Sequence, residues 1–155
     1  MTLDEIKDDL IGVWAGENLL RLSWQTPSDF KSRGELTAAT AIKEKFLSVS
    51  YLWSHEDTPH EGLILLGYDA DTATVNAAWI DSWHSNTKPL VLSGTIDANK
   101  TIDLRGTFVV PNHPDWGWRI VITPAENDLQ MTMYNITPEG VEDLAVQADY
   151  KRVLQ

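Results

Sequence analysis

Five alternate residues, Val75, Ala77, Trp79, Asp81 and Trp83, set one carboxylate between two indoles. On a β-strand alternate residues share a face. A carboxylate on an otherwise apolar face is therefore the first candidate for chemistry in this chain. Apolar walls disfavour the ionised form, which predicts a raised pKa for Asp81 unless a buried donor or cation offsets it. Used as a general acid or base, Asp81 needs a partner, and His55 or His84 is the nearest in pattern. The four histidines, His55, His60, His84 and His113, all fall at strand ends or in loops. They read as solvated rim residues. No His-x-His spacing joins them, so no metal site is expected. A haem site needs an axial histidine inside a barrel. Only His55 has that parity, with His113 reaching in from a loop, and no cofactor is expected. Ser82 stands beside Asp81, but neighbours on a strand point to opposite faces. That geometry rules out a Ser-His-Asp triad here.

These residues need a scaffold, and the pattern around them has period two. Thr2 to Leu10 reads as the one helix, with Thr2 as N-cap, Glu5 completing a capping box, and Leu3, Ile6 and Leu10 on one face. Gly12 supplies the stop. Thereafter Leu20, Leu22 and Trp24 alternate with polar residues, and so do Leu36, Ala38, Thr40 and Ile42. Leu47, Val49, Tyr51, Trp53 and His55 follow the same rule. His55 to His60 reads as a charged loop, and Gly62 to Tyr68 is apolar on both parities. Tyr68-Asp69-Ala70-Asp71 makes a turn, and Ser85 to Pro89 a further loop. Later strands carry Leu92 and Ile96, Ile102 to Phe108, Trp116 to Thr123, Leu129 to Ile136 with Met131 and Met133, and Leu144 to Val153. The inward set is expected to include Leu20, Leu22, Leu36, Leu47, Val49, Tyr51, Trp79, Leu92, Leu104, Phe108, Leu144, Val146 and Tyr150.

About ten strands joined by short turns, with no helix long enough for a parallel crossover, imply an all-β antiparallel sheet. A sheet that wide tends to close and lose its edges. The expected fold is a single domain over 1–155, an up-and-down β-barrel of about ten strands preceded by one short helix.

Composition narrows the partners. A formal net charge of -11 repels phosphate backbones, so nucleic acid is not expected. No cysteine is present, which removes disulfides and thiolate chemistry. The N-terminus has no signal-peptide pattern, and no apolar run approaches the roughly 20 residues of a spanning helix. A soluble, cytoplasmic protein without membrane contact is the expectation. Seven tryptophans suit a ligand cavity, where indoles bury area at low entropic cost.

The opening Gly12-Val13-Trp14-Ala15-Gly16-Glu17, the turn Gly67-Tyr68-Asp69, the strand Trp79-Ile80-Asp81-Ser82 and the close Tyr150-Lys151-Arg152 form a set. Together they resemble a bacterial lipocalin-like family within the calycin superfamily, known mainly as a domain of unknown function. The resemblance implies a calycin barrel, closed at one end by Trp14 packed under Arg152. It implies no activity. The reading of function is a binding protein whose cavity takes a small, largely apolar or aromatic ligand. Its expected lining is Asp81, Trp79, Trp83, Tyr51, Trp53, His55 and Met133. An enzyme using Asp81 with a rim histidine is the first alternative. A filled barrel acting as an association module, including a homodimer, is the second. Asp81 is expected inside the barrel, near the mouth opposite Trp14.

Overall fold

The computed structural model describes residues 1–154. One helix, α1 (Leu3–Leu10), precedes ten strands. They are β1 (Gly12–Arg21), β2 (Asp29–Ala41), β3 (Phe46–His55), β4 (Thr58–Asp69), β5 (Thr74–Asp81), β6 (Ser85–Ile96), β7 (Ile102–Phe108), β8 (Trp116–Pro124), β9 (Asp128–Ile136) and β10 (Glu142–Arg152). Each strand runs antiparallel to its neighbours in the chain, and β10 returns to pair with β1. The sheet is a closed barrel, and closure leaves no edge for another chain to extend.

Alternation decides which side chains enter. Along β3, Leu47, Val49, Tyr51, Trp53 and His55 are all buried, while the residues between them are not. Val75, Ala77, Trp79 and Asp81 do the same on β5. Along β4, where the sequence left both faces open, Gly62, Ile64 and Leu66 point inward and Leu63 is exposed. The expected inward set is buried except Phe108 and Leu144, which are half-buried. Both stand at the open end, and in β10 an extra residue, Ala145, bulges between Leu144 and Val146.

Helix α1 covers the other end. Thr2 and Glu5 form the capping box, and Leu3, Ile6 and Leu10 bury their face against the barrel. Trp14 is fully buried there and its Nε1 donates to the Leu10 carbonyl at 2.9 Å. The Arg152 guanidinium lies 4.2 Å from the centre of a Trp14 ring. Its two terminal nitrogens donate to the carbonyls of Ile11 at 2.9 Å and Asp9 at 3.0 Å, so one side chain ties the last strand to the end of the helix. The helix stops at Leu10 with Ile11 as its C-cap, and Gly12 follows at the next position. It starts β1 at φ 142, and a Cβ there would come within 2.8 Å of Arg152 Nη1.

Three local expectations are corrected. The loop read from His55 to His60 shrinks to Glu56 and Asp57, whose φ values of 49 and 65 form a two-residue reversal, and β4 begins at Thr58. Such left-handed pairs match the twist of the flanking strands, which sequence composition does not show. Ser85 to Pro89 is the start of β6 and not a loop. Its pairing is irregular: Asp81 opposes Ser85 and Trp79 opposes Leu90, so four residues stand opposite Ile80 alone. Pro89 cannot donate to a ladder, which suits a bulge. Trp24 does not continue the inward row of Leu20 and Leu22, because β1 ends at Arg21. The chain turns there through bonds from Leu22 N to Ser28 O and Gln25 N to Leu22 O, leaving Trp24 75% exposed at the mouth.

Candidate functional site

Asp81 lies at the end of β5, at the mouth opposite α1, and is 1% exposed. Tyr51, Gly62 and Asp81 are register partners across β3, β4 and β5. Gly62 has no side chain, so the Tyr51 ring lies across it; a Cβ at Gly62 would sit 2.1 Å from Tyr51 Cζ. Reaching over that gap, the Tyr51 hydroxyl donates to Asp81 Oδ2 at 2.6 Å. The same hydroxyl accepts from Trp79 Nε1 at 2.8 Å. Asp81 Oδ1 accepts the backbone N–H of Trp83 at 2.8 Å and of His84 at 3.0 Å. The carboxylate thereby builds the turn that follows it.

That turn corrects the place of Trp83. The strand ends at Asp81, so Trp83 leaves the inner row and stands at the rim, 36% exposed. For the Asp81 pKa, the buried donors that would offset a rise are present. Burial alone would raise it, but His84, the Tyr51 hydroxyl and the Trp83 amide outweigh burial and hold the Asp81 carboxyl below its ordinary value. His84 Nδ1 is 3.4 Å from Asp81 Oδ1, within ion-pair reach but outside hydrogen-bond geometry. Tyr51 moves the other way. Burial first, then the neighbouring Asp81 charge, push its phenol well above the ordinary value.

The histidines are not a solvated rim. His55 is buried, with its ring edge-on to Phe30 at 4.7 Å and to Trp83 at 4.9 Å. His60 stacks on Trp53 at 4.8 Å, and its Nδ1 is 2.8 Å from the Ser82 hydroxyl. His84 packs among Trp53, Trp79 and Trp118. Only His113, in the 109–115 loop, is exposed. Among the described residues no three histidine, aspartate or glutamate side chains are grouped to hold a metal ion.

Beside this aromatic packing the mouth is open. A cavity of about 500 Å³ lies between the ends of β1, β5, β7 and β9 and the starts of β6, β8 and β10. Five of the seven tryptophans line it: Trp24, Trp79, Trp83, Trp116 and Trp118. Leu22, Leu90, Phe108 and Leu144 add apolar wall, and His84 and Asn135 add polar groups. Of the seven residues expected to line a pocket, Trp79 and Trp83 do so. Asp81, Tyr51, Trp53, His55 and Met133 do not. The first four fill the β3–β5 side of the barrel behind Trp79 and His84, Tyr51 and Asp81 through hydrogen bonds and Trp53 and His55 through aromatic packing. Met133 lies deeper, opposite Ile120 and Val146.

Trp116, Trp118, Asn135 and His84 were not singled out as lining residues from sequence. One signal was available for Asn135, a polar residue that continues the inward row of Leu129, Met131 and Met133. Trp118 likewise precedes Ile120 and Ile122 on one parity.

A closed ten-stranded antiparallel barrel with one plugged end and one aromatic-lined mouth is the class of protein these features define. The sequence profile of the family described as "Protein of unknown function (DUF1579)" matches residues 7–152. The chain belongs to that family. No curated protein matches it. Among solved structures it is similar in fold to Rv2717c from M. tuberculosis, with a TM-score of 0.72 at 14% identity, over 98% of this chain and 97% of that one. At that identity the likeness speaks for the barrel alone.

Proposed function

We propose that this protein is a lipocalin-like binder of a small, largely apolar or aromatic ligand, held in the mouth cavity. The observation that carries the reading is the cavity itself: about 500 Å³ with five indoles in its wall. A packed association module would have no such space, and exposed tryptophan at a concave mouth favours a partner that covers it. In this reading Trp79, Trp116 and Trp118 supply flat apolar contact, and Trp24 and Trp83 form the lip. Asp81 does not touch the ligand. With both oxygens engaged it is a positioning group that holds the Ser82–His84 turn and so the placing of His84 and Trp83. That removes the support for Asp81 as a general acid or base.

The test is titration with a neutral solvatochromic naphthalene dye such as prodan. We expect a blue-shifted emission and quenching of tryptophan fluorescence. Ala145 lines the cavity, and Ala145→Trp should fill it and weaken dye binding at least tenfold. Undiminished binding to a folded Ala145→Trp variant would place the dye elsewhere and remove the mouth from the reading.

A further inference from the structure

Trp118 on β8 and Asn135 on β9 are direct cross-strand partners. Both side chains reach the same cavity wall. Trp118 is 6% exposed and its Nε1 has no hydrogen-bond partner. Asn135 Oδ1 is also buried and accepts nothing. Buried polar groups in folded proteins are nearly always satisfied, because an orphan forfeits its hydration without return. Here a donor and an acceptor, both unmet, belong to paired residues that line a space able to hold a molecule.

We propose that this pair reads the edge of a neutral, planar ligand carrying a carbonyl next to an N–H, that is, a cyclic amide or lactam fused to an aromatic ring. The ligand carbonyl accepts from Trp118 Nε1–H, and the adjacent N–H donates to Asn135 Oδ1. Turning the Asn135 amide over would exchange its acceptor for a donor, and the same ligand edge could still pair with one of the two residues. Planarity follows from the wall. Trp79 and Trp118 stack at 5.0 Å with 13° between their planes, and His84 leans on both at 5.9 and 5.3 Å. Neutrality follows from the charges. Arg21, the guanidinium at the mouth, is already held by both oxygens of Asp29 at 2.7 and 2.9 Å. Lys88 and Asp143 add one charge of each sign to the lining, and the whole chain carries a formal charge of -11, which disfavours an anion.

This inference rests on the mouth being a ligand cavity, and the experiment separates the two. Calorimetry on the full chain compares quinolin-2(1H)-one, its N-methyl derivative and quinoline. The first carries both halves of the edge, the second lacks the donor, and the third lacks the carbonyl and the donor. We expect quinolin-2(1H)-one to bind about tenfold tighter than either, the value of one well-made hydrogen bond in a dry site. Trp118→Phe and Asn135→Leu keep apolar bulk and remove one partner each: Asn135→Leu should bring quinolin-2(1H)-one and its N-methyl derivative to within about twofold of one another, and Trp118→Phe should do the same for the N-methyl derivative and quinoline. Equal binding of all three to the parent chain would overturn the edge, since water would then be satisfying both atoms, and would leave the cavity reading standing. Binding of none would overturn both. If a variant fails to fold, the comparison of probes on the parent chain still decides.

Discussion

Replacing Asp81 by asparagine keeps the shape of the side chain and removes its charge. Asp81 accepts three hydrogen bonds, from the Tyr51 hydroxyl at 2.6 Å and from two backbone N–H groups at 2.8 and 3.0 Å. A bond to a charged acceptor contributes about 1.5–3 kcal/mol and a neutral one about 0.5–1.5, so three bonds lose about 3 kcal/mol together. The Tyr51 hydroxyl fares worst. It already accepts from Trp79 Nε1, and facing an amide N–H₂ its own proton has no acceptor. With a urea slope of about 2 kcal/mol/M, the unfolding midpoint at pH 7 should fall by about 1.5 M. The pH dependence has a definite sign. The folded-state pKa of Asp81 is depressed, so its contribution is fully present above the unfolded value of about 3.9 and is lost as pH falls through the lower folded value. The gap between parent and Asp81→Asn should therefore be constant from pH 7 to about 5 and contract below about 4. Urea melts followed by tryptophan fluorescence at steps from pH 7 to 3 measure it. An unchanged midpoint at pH 7, or a gap as wide at pH 3 as at pH 7, would refute the account of Asp81 as an ionised, turn-holding group.

Two further changes probe the scaffold, beside the two binding tests above. Trp14→Ala removes a fully buried indole under Arg152 and should cost about 3–5 kcal/mol in urea melts; a variant as stable as the parent would take the plugged end out of the argument. Gly62→Ala puts a methyl 2.1 Å from Tyr51 Cζ, forcing the ring off Asp81 at a cost of about 1–3 kcal/mol. Because the Tyr51–Asp81 bond is then already broken, Tyr51→Phe should cost less on top of Gly62→Ala than alone, and strict additivity in that double-mutant cycle would show the two positions to be uncoupled.

Most of the barrel is written in the chain as period two. Leu47 to His55 and Val75 to Asp81 alternate without a break, and an alternating strand has one way to sit when one face must be dry. The capping box at Thr2 and Glu5 is equally local, because its bonds join atoms three residues apart. That Asp81 would be buried beside Trp79 follows from the same parity. Its ionisation does not. His84 and the Trp83 amide hold it charged from within three residues, but the Tyr51 hydroxyl comes from 30 residues away in sequence, across a glycine whose significance exists only once β3, β4 and β5 are side by side. Strand ends were the other blind spot. Periodicity has no mark for where pairing stops, so Trp83 and Trp24 continue the inward rows on paper and swing to the rim in space. The cavity wall was decided last of all. It draws on β1 and on β5 through β10, where Trp118 and Asn135 become neighbours only because the sheet pairs them, although 16 residues of chain lie between them. Alternation tells which side chains go inside a barrel; which of them leave room there depends on how all ten strands fill it, and that is a property of the closed sheet alone.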